Sequence, residues 1–176
     1  MNIPQIFLTH LEKLEPNANF TGTLPTIKSS TGARYFAKIG SPSEKDQYFG
    51  EVESLKAMDK AAPGLSPRVF ASGVVDNESF TGRPYFLSEY KDFGHLTSRA
   101  ADVLATRLAT QLHGYKSSKG FGFHVPTYCG PTRQDNGWYE SWQDCYTEMI
   151  GSLLGKLKQK ARYNDLCSKG EEVRKT

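Results

Sequence analysis

Apolar positions in the first ninety residues alternate between helical and extended spacing. Ile3, Ile6, Phe7, Leu11 and Leu14 recur at three- and four-residue intervals until Pro16-Asn17 breaks the pattern, which predicts a short leading helix. Phe20 to Ser29 and Ala33 to Ile39 read as two strands joined by Ser-Ser-Thr-Gly, with Gly32 free to take a positive φ and Pro25 either weakening the first strand or placing it at an edge. A Gly40-Ser-Pro turn follows. From Glu44 to Met58 the spacing is helical again, with Tyr48, Val52, Leu55 and Ala62 on one stripe, flanked by Phe49 and Met58. Ala61-Ala-Pro-Gly ends that pattern. Arg68 to Val75 and Arg83 to Tyr90 are further strand-like runs around the polar turn Asp76 to Gly82. The order strand, strand, helix, strand, strand is that of a small antiparallel sheet with one packed helix.

The second half reads differently. Ala101, Leu104, Ala105, Leu108, Ala109 and Leu112 mark an apolar helix face, with Thr97 or Ser98 as its N-cap. His113 closes it, read as a histidine that packs or hydrogen-bonds at a helix end. Lys116 to Pro126 and Pro131 to Gly137 are glycine-punctuated loops, and a final helix is expected from about Trp138, presenting Trp142, Cys145, Tyr146, Met149, Leu153 and Leu157. Gly151 and Gly155 each weaken it by about 1 kcal/mol, so its second half is expected to need a partner surface. These patterns predict an α+β chain: residues 1–90 as a sheet-and-helix lobe, 91–97 as a linker and 98–176 as a helical part ending in a basic, polar tail.

Composition narrows the function classes. The 176 residues carry 22 basic and 19 acidic side chains, interspersed, for a net charge of +3. Only Lys156 to Arg162 is locally basic, so the chain has no block of charge to grip nucleic acid or an anionic membrane. No apolar run approaches bilayer length, and the N-terminus lacks the pattern of a signal peptide. Cys129, Cys145 and Cys167 are odd in number and widely spaced, which argues against a disulfide framework and a zinc site. A cytoplasmic protein with buried or idle thiols is expected.

Candidate chemistry centres on Lys38 and Glu51. At about 100° per residue, Glu51 falls between Leu55 and Met58, inside the apolar stripe, whereas Glu53 falls outside it. A carboxylate facing a core needs a partner, and Lys38, near the end of its strand, is the nearest candidate. A strand lysine paired with a helix glutamate is how protein kinases hold the α and β phosphates of ATP. The two residues alone also fit a surface lysine and a glutamate at a helix margin. Gly22 stands alone in Phe-Thr-Gly-Thr, too sparse for a glycine-rich phosphate loop. Asp92-Phe93-Gly94 matches the metal-binding tripeptide of protein kinases but lies before the first long helix of the second half, where a linker belongs, and is read as a chance occurrence.

Taken together, Tyr35-Phe-Ala-Lys38, Tyr48-Phe-Gly-Glu-Val-Glu-Ser-Leu55, Ser66-Pro-Arg-Val69, Tyr85-Phe-Leu-Ser-Glu-Tyr90, Leu108-Ala-Thr-Gln-Leu-His113, Gly120-Phe-Gly-Phe-His124 and Asn136-Gly-Trp-Tyr-Glu-Ser-Trp142 resemble the fructosamine-3-kinase family. The resemblance spans roughly Phe20 to Leu157. It implies a protein-kinase-like two-lobed fold and ATP-dependent phosphorylation of the 3-hydroxyl of ketosamines, the sugar adducts of protein lysines or of small amines. The phosphorylated adduct eliminates and frees the amine. By position, the resemblance implies that Lys38 holds the α and β phosphates, that Glu51 orients Lys38, and that Glu89, Tyr90 and Lys91 form the hinge whose backbone binds adenine. It also implies magnesium in the full-length enzyme.

The family's catalytic loop resembles His-Gly-Asp-Leu-Trp-x-Gly-Asn, and no such segment occurs here. The expectation is therefore an N-terminal lobe with the first helices of a C-terminal lobe, truncated before that loop, with no catalytic residue or metal ligand of its own and little or no activity alone. Two other readings stay open: a non-catalytic nucleotide-binding or interaction module, and a small-molecule kinase related to aminoglycoside or choline kinases. Oligomeric state is left unassigned.

Overall fold

The structure is a computed structural model that describes residues 2–76, 80–160 and 162–175. It divides into two compact units, residues 1–115 and 116–176.

In the first unit, helix α1 (Gln5–Leu14) buries Phe7 and Leu11 completely. Strands β1 (Phe20–Thr23), β2 (Thr26–Ser29) and β3 (Arg34–Ile39) precede helix α2 (Lys45–Ala61), and β4 (Val69–Val74) and β5 (Pro84–Glu89) follow it. The sheet order is β1-β2-β3-β5-β4, with every neighbouring pair antiparallel. The run Phe20 to Ser29, expected as one strand, is a hairpin that turns at Leu24-Pro25, pairing Gly22 with Ile27. Proline fixes φ and has no N–H to give to a ladder, so it suits the turn better than a strand interior. The Ser-Ser-Thr-Gly connection and the β4 and β5 runs lie where the pattern places them; of the turn between those two strands, residues 77–79 lie outside the described residues.

Both sheet faces are covered. Side chains alternate along a strand, so Tyr35, Ala37, Tyr85 and Leu87 share one face with Ile27 and pack with Phe7 and Leu11 of α1. Phe36, Phe86 and Val69 cluster with Tyr48, Val52 and Leu55 of α2. The same alternation puts Lys38 on the α2 face. Entry into α2 is set by Pro42–Glu44, one 3-10 turn, in which Ser41 N–H and Oγ both donate to the Glu44 carboxylate at 2.7 and 2.8 Å.

Helix α3 (Ser98–Arg107) starts at Thr97, whose hydroxyl accepts from Ala100 N–H at 3.2 Å, and continues as a π-helical turn over Leu108–Leu112. Its apolar face is not buried: none of its residues is buried, and Leu104 is 38% exposed.

The second unit holds β6 (Phe121–Gly122), β7 (Thr127–Cys129), β8 (Thr132–Gln134) and β9 (Trp138–Tyr139), followed by α4 (Trp142–Lys158) and α5 (Asn164–Lys175). β6 pairs with β9 and β7 with β8, so the glycine-punctuated loops form two short ribbons. The last long helix begins at Trp142 rather than Trp138: Trp138-Tyr139 are committed to β6, and Ser141 is the N-cap, accepting from Asp144 N–H at 3.1 Å. The expected polar tail is helical from Asn164. α5 packs on α4 with Leu154 and Cys167 buried, supplying a partner surface to the glycine-weakened half of α4.

Candidate functional site

Lys38 and Glu51 meet as the helical and strand periods require. β3 points Lys38 at α2, and Glu51 lies on the flank of α2 that faces β3. The Lys38 Nζ to Glu51 Oε2 distance is 2.7 Å. The side chains are 31% and 39% exposed, so the pair is open to solvent rather than sealed in the core. An ion pair this exposed contributes only about 0.2–1 kcal/mol to stability. The pair therefore sets an ammonium beside a carboxylate at a surface open to solvent.

The lysine is held on its other sides by aromatic rings. Its Nζ is 4.6 Å from the Tyr48 ring centroid and 5.0 Å from that of Phe86. Those rings meet edge to face at 5.9 Å. Burial, followed by the nearby carboxylates of Glu44 and Glu51, raises the Tyr48 phenol above its ordinary range. Sequence pattern placed Tyr48 on the apolar stripe without tying it to Lys38. The signal available was its position one turn before Glu51 on the same side of α2.

The three residues expected at the hinge follow at the end of β5. Lys38 pairs with Phe86 and Tyr35 with Glu89 in the β3–β5 register, so Glu89 lies about 10 Å along the sheet from Lys38. Lys91 Nζ donates to Glu89 Oε1 at 2.7 Å, and Arg68 N–H reaches Glu89 Oε2 at 3.3 Å. The Lys91 bond, aided by Arg68, lowers the Glu89 pKa from its usual range. Tyr90 lies beneath the Arg34 guanidinium, 4.5 Å from its ring centroid, and Arg34 pairs with Asp92 at 2.6 Å. The structure thus joins Lys38 with Glu51 and Glu89 with Lys91, and sets Tyr90 apart with Arg34. Asp92 is engaged by Arg34, while Phe93 is 88% exposed in the segment between β5 and α3.

Among the described residues, no group of three or more His, Cys, Asp or Glu side chains could hold a metal ion, and no helix is long and apolar enough to cross a membrane. Cys129 is exposed, while Cys145 and Cys167 are buried; all three are free thiols, and burial raises the Cys145 pKa.

The sequence profile of the family described as fructosamine kinase matches residues 21–175. A chloroplastic protein-ribulosamine 3-kinase of Arabidopsis thaliana is 32% identical over 114 residues, covering 65% of this chain and 33% of the plant protein. A probable ketoamine kinase of Vibrio cholerae is 26% identical over 128 residues, covering 72% of this chain and 43% of that protein. A crystal structure from Haemophilus somnus, provisionally assigned as a fructosamine-3-kinase, superposes with a TM-score of 0.62 at 20% identity, covering 88% of this chain and 54% of that one. That likeness establishes the protein-kinase-like fold. The chain spans less than half the length of these curated relatives.

Proposed function

The chain belongs to the fructosamine kinase family, and from that premise we propose that it carries the nucleotide-holding part of an ATP-dependent ketosamine 3-kinase. The observation that carries this reading is the Lys38–Glu51 pair, 2.7 Å across a strand and a helix, half open to solvent. ATP supplies the phosphoryl group that the reaction transfers. The residues here suit its charged end. Lys38 offers a fixed ammonium to the α and β phosphates, and Glu51 keeps that ammonium from swinging into solvent. The end of β5 at Glu89, Tyr90 and Lys91, about 10 Å away along the sheet, offers backbone groups to adenine. In this reading residues 1–90 hold the nucleotide, 91–97 connect, and 98–176 begin the helical lobe.

The acceptor is a ketosamine, either the ribulosamine or fructosamine adduct of a protein lysine or a small ketosamine, phosphorylated at its 3-hydroxyl, and the compartment is the cytoplasm. Magnesium belongs with this chemistry, but the described residues offer no ligand cluster for it, so no metal step is assigned to them.

Calorimetric titration of the chain with magnesium-ATP tests the reading. Binding is expected to weaken about ten- to a hundredfold in Lys38→Ala, the loss of one charge-assisted contact to phosphate. A chain that does not bind ATP, or a Lys38→Ala variant that binds it equally well, overturns the proposal.

A further inference from the structure

A lysine has four rotatable side-chain bonds, and a half-exposed ion pair restrains its ammonium in one direction only. The remaining restraint on Lys38 comes from Tyr48 and Phe86, whose rings lie within the distance, about 6 Å, at which an aromatic face attracts a cation. Phe86 is fixed by burial at 1% exposure. Tyr48 packs closely on Gly40. A Cβ at position 40 would stand 2.6 and 2.8 Å from Cε2 and Cζ of the Tyr48 ring, closer than real side chains approach. The backbone at Gly40 is itself pinned: its N–H donates to the Pro84 carbonyl at 2.8 Å, and Arg83 Nε donates to its carbonyl at 2.6 Å. The ring therefore contacts both the lysine ammonium and an anchored glycine.

We infer that Tyr48 is a positioning residue for Lys38, its ring braced on Gly40 so that the lysine ammonium stays beside Glu51 and aimed at the nucleotide phosphates. The phosphate-aiming half of this statement rests on the nucleotide-holding function proposed above; the bracing half stands on the geometry alone. Tyr48 and Glu51 sit one turn apart on α2, so the helix supplies the carboxylate and the ring together. Any movement of α2 shifts Glu51 and the Tyr48 ring together, while Phe86 stays on β5.

The full chain, Tyr48→Phe and Tyr48→Leu provide the test, with the lysine ε-methylene signals followed by carbon-13 NMR and the Lys38 signal assigned through Lys38→Arg. In the unaltered chain the Lys38 ε protons are expected upfield, shifted by the two rings. Tyr48→Phe keeps the ring and the shift. Tyr48→Leu keeps an apolar filler and moves the signal towards free lysine, short of it because Phe86 remains. Gly40→Ala displaces the ring and moves the signal the same way, which covers the case in which Tyr48→Leu does not fold. Affinity for magnesium-ATP is expected to fall about five- to tenfold in Tyr48→Leu and to be rescued in Tyr48→Phe. A Lys38 signal unmoved by Tyr48→Leu and by Gly40→Ala, or undiminished ATP affinity in Tyr48→Leu, overturns the inference. Failure of the unaltered chain to bind ATP overturns the nucleotide reading instead, and the NMR comparison alone then decides the role of Tyr48.

Discussion

Glu15, just past α1, is where single residues join the leading helix to the sheet. Its Oε2 accepts the Ser29 hydroxyl at 2.7 Å and that of Thr31 at 2.5 Å, and its Oε1 accepts the Tyr35 phenol. These three donors lower the Glu15 pKa from 4.5, and burial with the Glu15 bond pushes Tyr35 up to about 12. The two shifts act at opposite ends of the pH scale. A depressed carboxylate pKa contributes stability that is full above 4.5 and is lost as pH falls through the folded value. A raised phenol pKa contributes stability that is full below 10 and is lost as pH rises from 10 towards 12. Thermal melts of the chain and of Glu15→Gln across pH should therefore converge below pH 4.5 and separate above it, the variant melting lower. Parallel curves through the acid range would remove Glu15 from the account. Nothing in the sequence singled out Glu15, because its partners lie 14 to 20 residues away and meet it only once α1 docks. The Lys38–Glu51 pair was readable because each local period fixes its own side chain's direction. Gly40 was read as turn punctuation, and only the packed Tyr48 ring shows what a larger residue there would strike.

At the scale of elements, long periodic runs were readable and short or polar ones were not. β3, β4, β5 and α2 have enough alternating or helical positions to declare themselves. β6 and β9 have two residues each, too few for any period, and Gly122 with the flanking Gly120 and Gly137 looked like loop signals. α5 was hidden by its Lys and Glu content, since only a few of its positions, Cys167 among them, are needed to pack on α4. The glycines of the β6–β9 ribbon are structural. Gly122 has a φ of +134°, and a Cβ there would stand 1.8 Å from the Gly137 carbonyl oxygen. Gly122→Ala must both strain the backbone and part the strands, at about 1–3 kcal/mol. The effect should show first in amide exchange at Phe123, whose N–H donates to Gly137 at 3.1 Å, with the signals of β3 and β5 unchanged. Unaltered protection at Phe123 would mean that the ribbon tolerates the extra methyl and that the glycine is incidental.

For the whole molecule, the division into residues 1–115 and 116–176 sets an uneven distribution of core. The first unit contains both packed faces of the sheet, with Phe7, Leu11, Ile27, Phe86, Leu87 and Val52 nearly or wholly removed from water. Among the described residues of the second, the buried apolar side chains are Val125, Cys145, Leu154 and Cys167, while Trp142, Leu166 and Val173 are each more than half exposed. A unit of about 60 residues is marginal even with a good core, and one with so little apolar burial should fall short of the conformational entropy it has to offset. Residues 1–115 expressed alone are therefore expected to unfold cooperatively in urea, and residues 116–176 alone to lose structure gradually, without a sigmoidal transition. Because Gly40, Tyr48, Glu51 and Phe86 all lie in the first unit with Lys38, the isolated 1–115 fragment should also keep the upfield lysine signal of the full chain. A cooperative transition in 116–176, or a 1–115 fragment without one, would show that the stabilising core is not partitioned as burial indicates. Loss of the lysine signal from a cooperatively folded 1–115 would show that the geometry around Lys38 needs more than the sheet and α2 to maintain it.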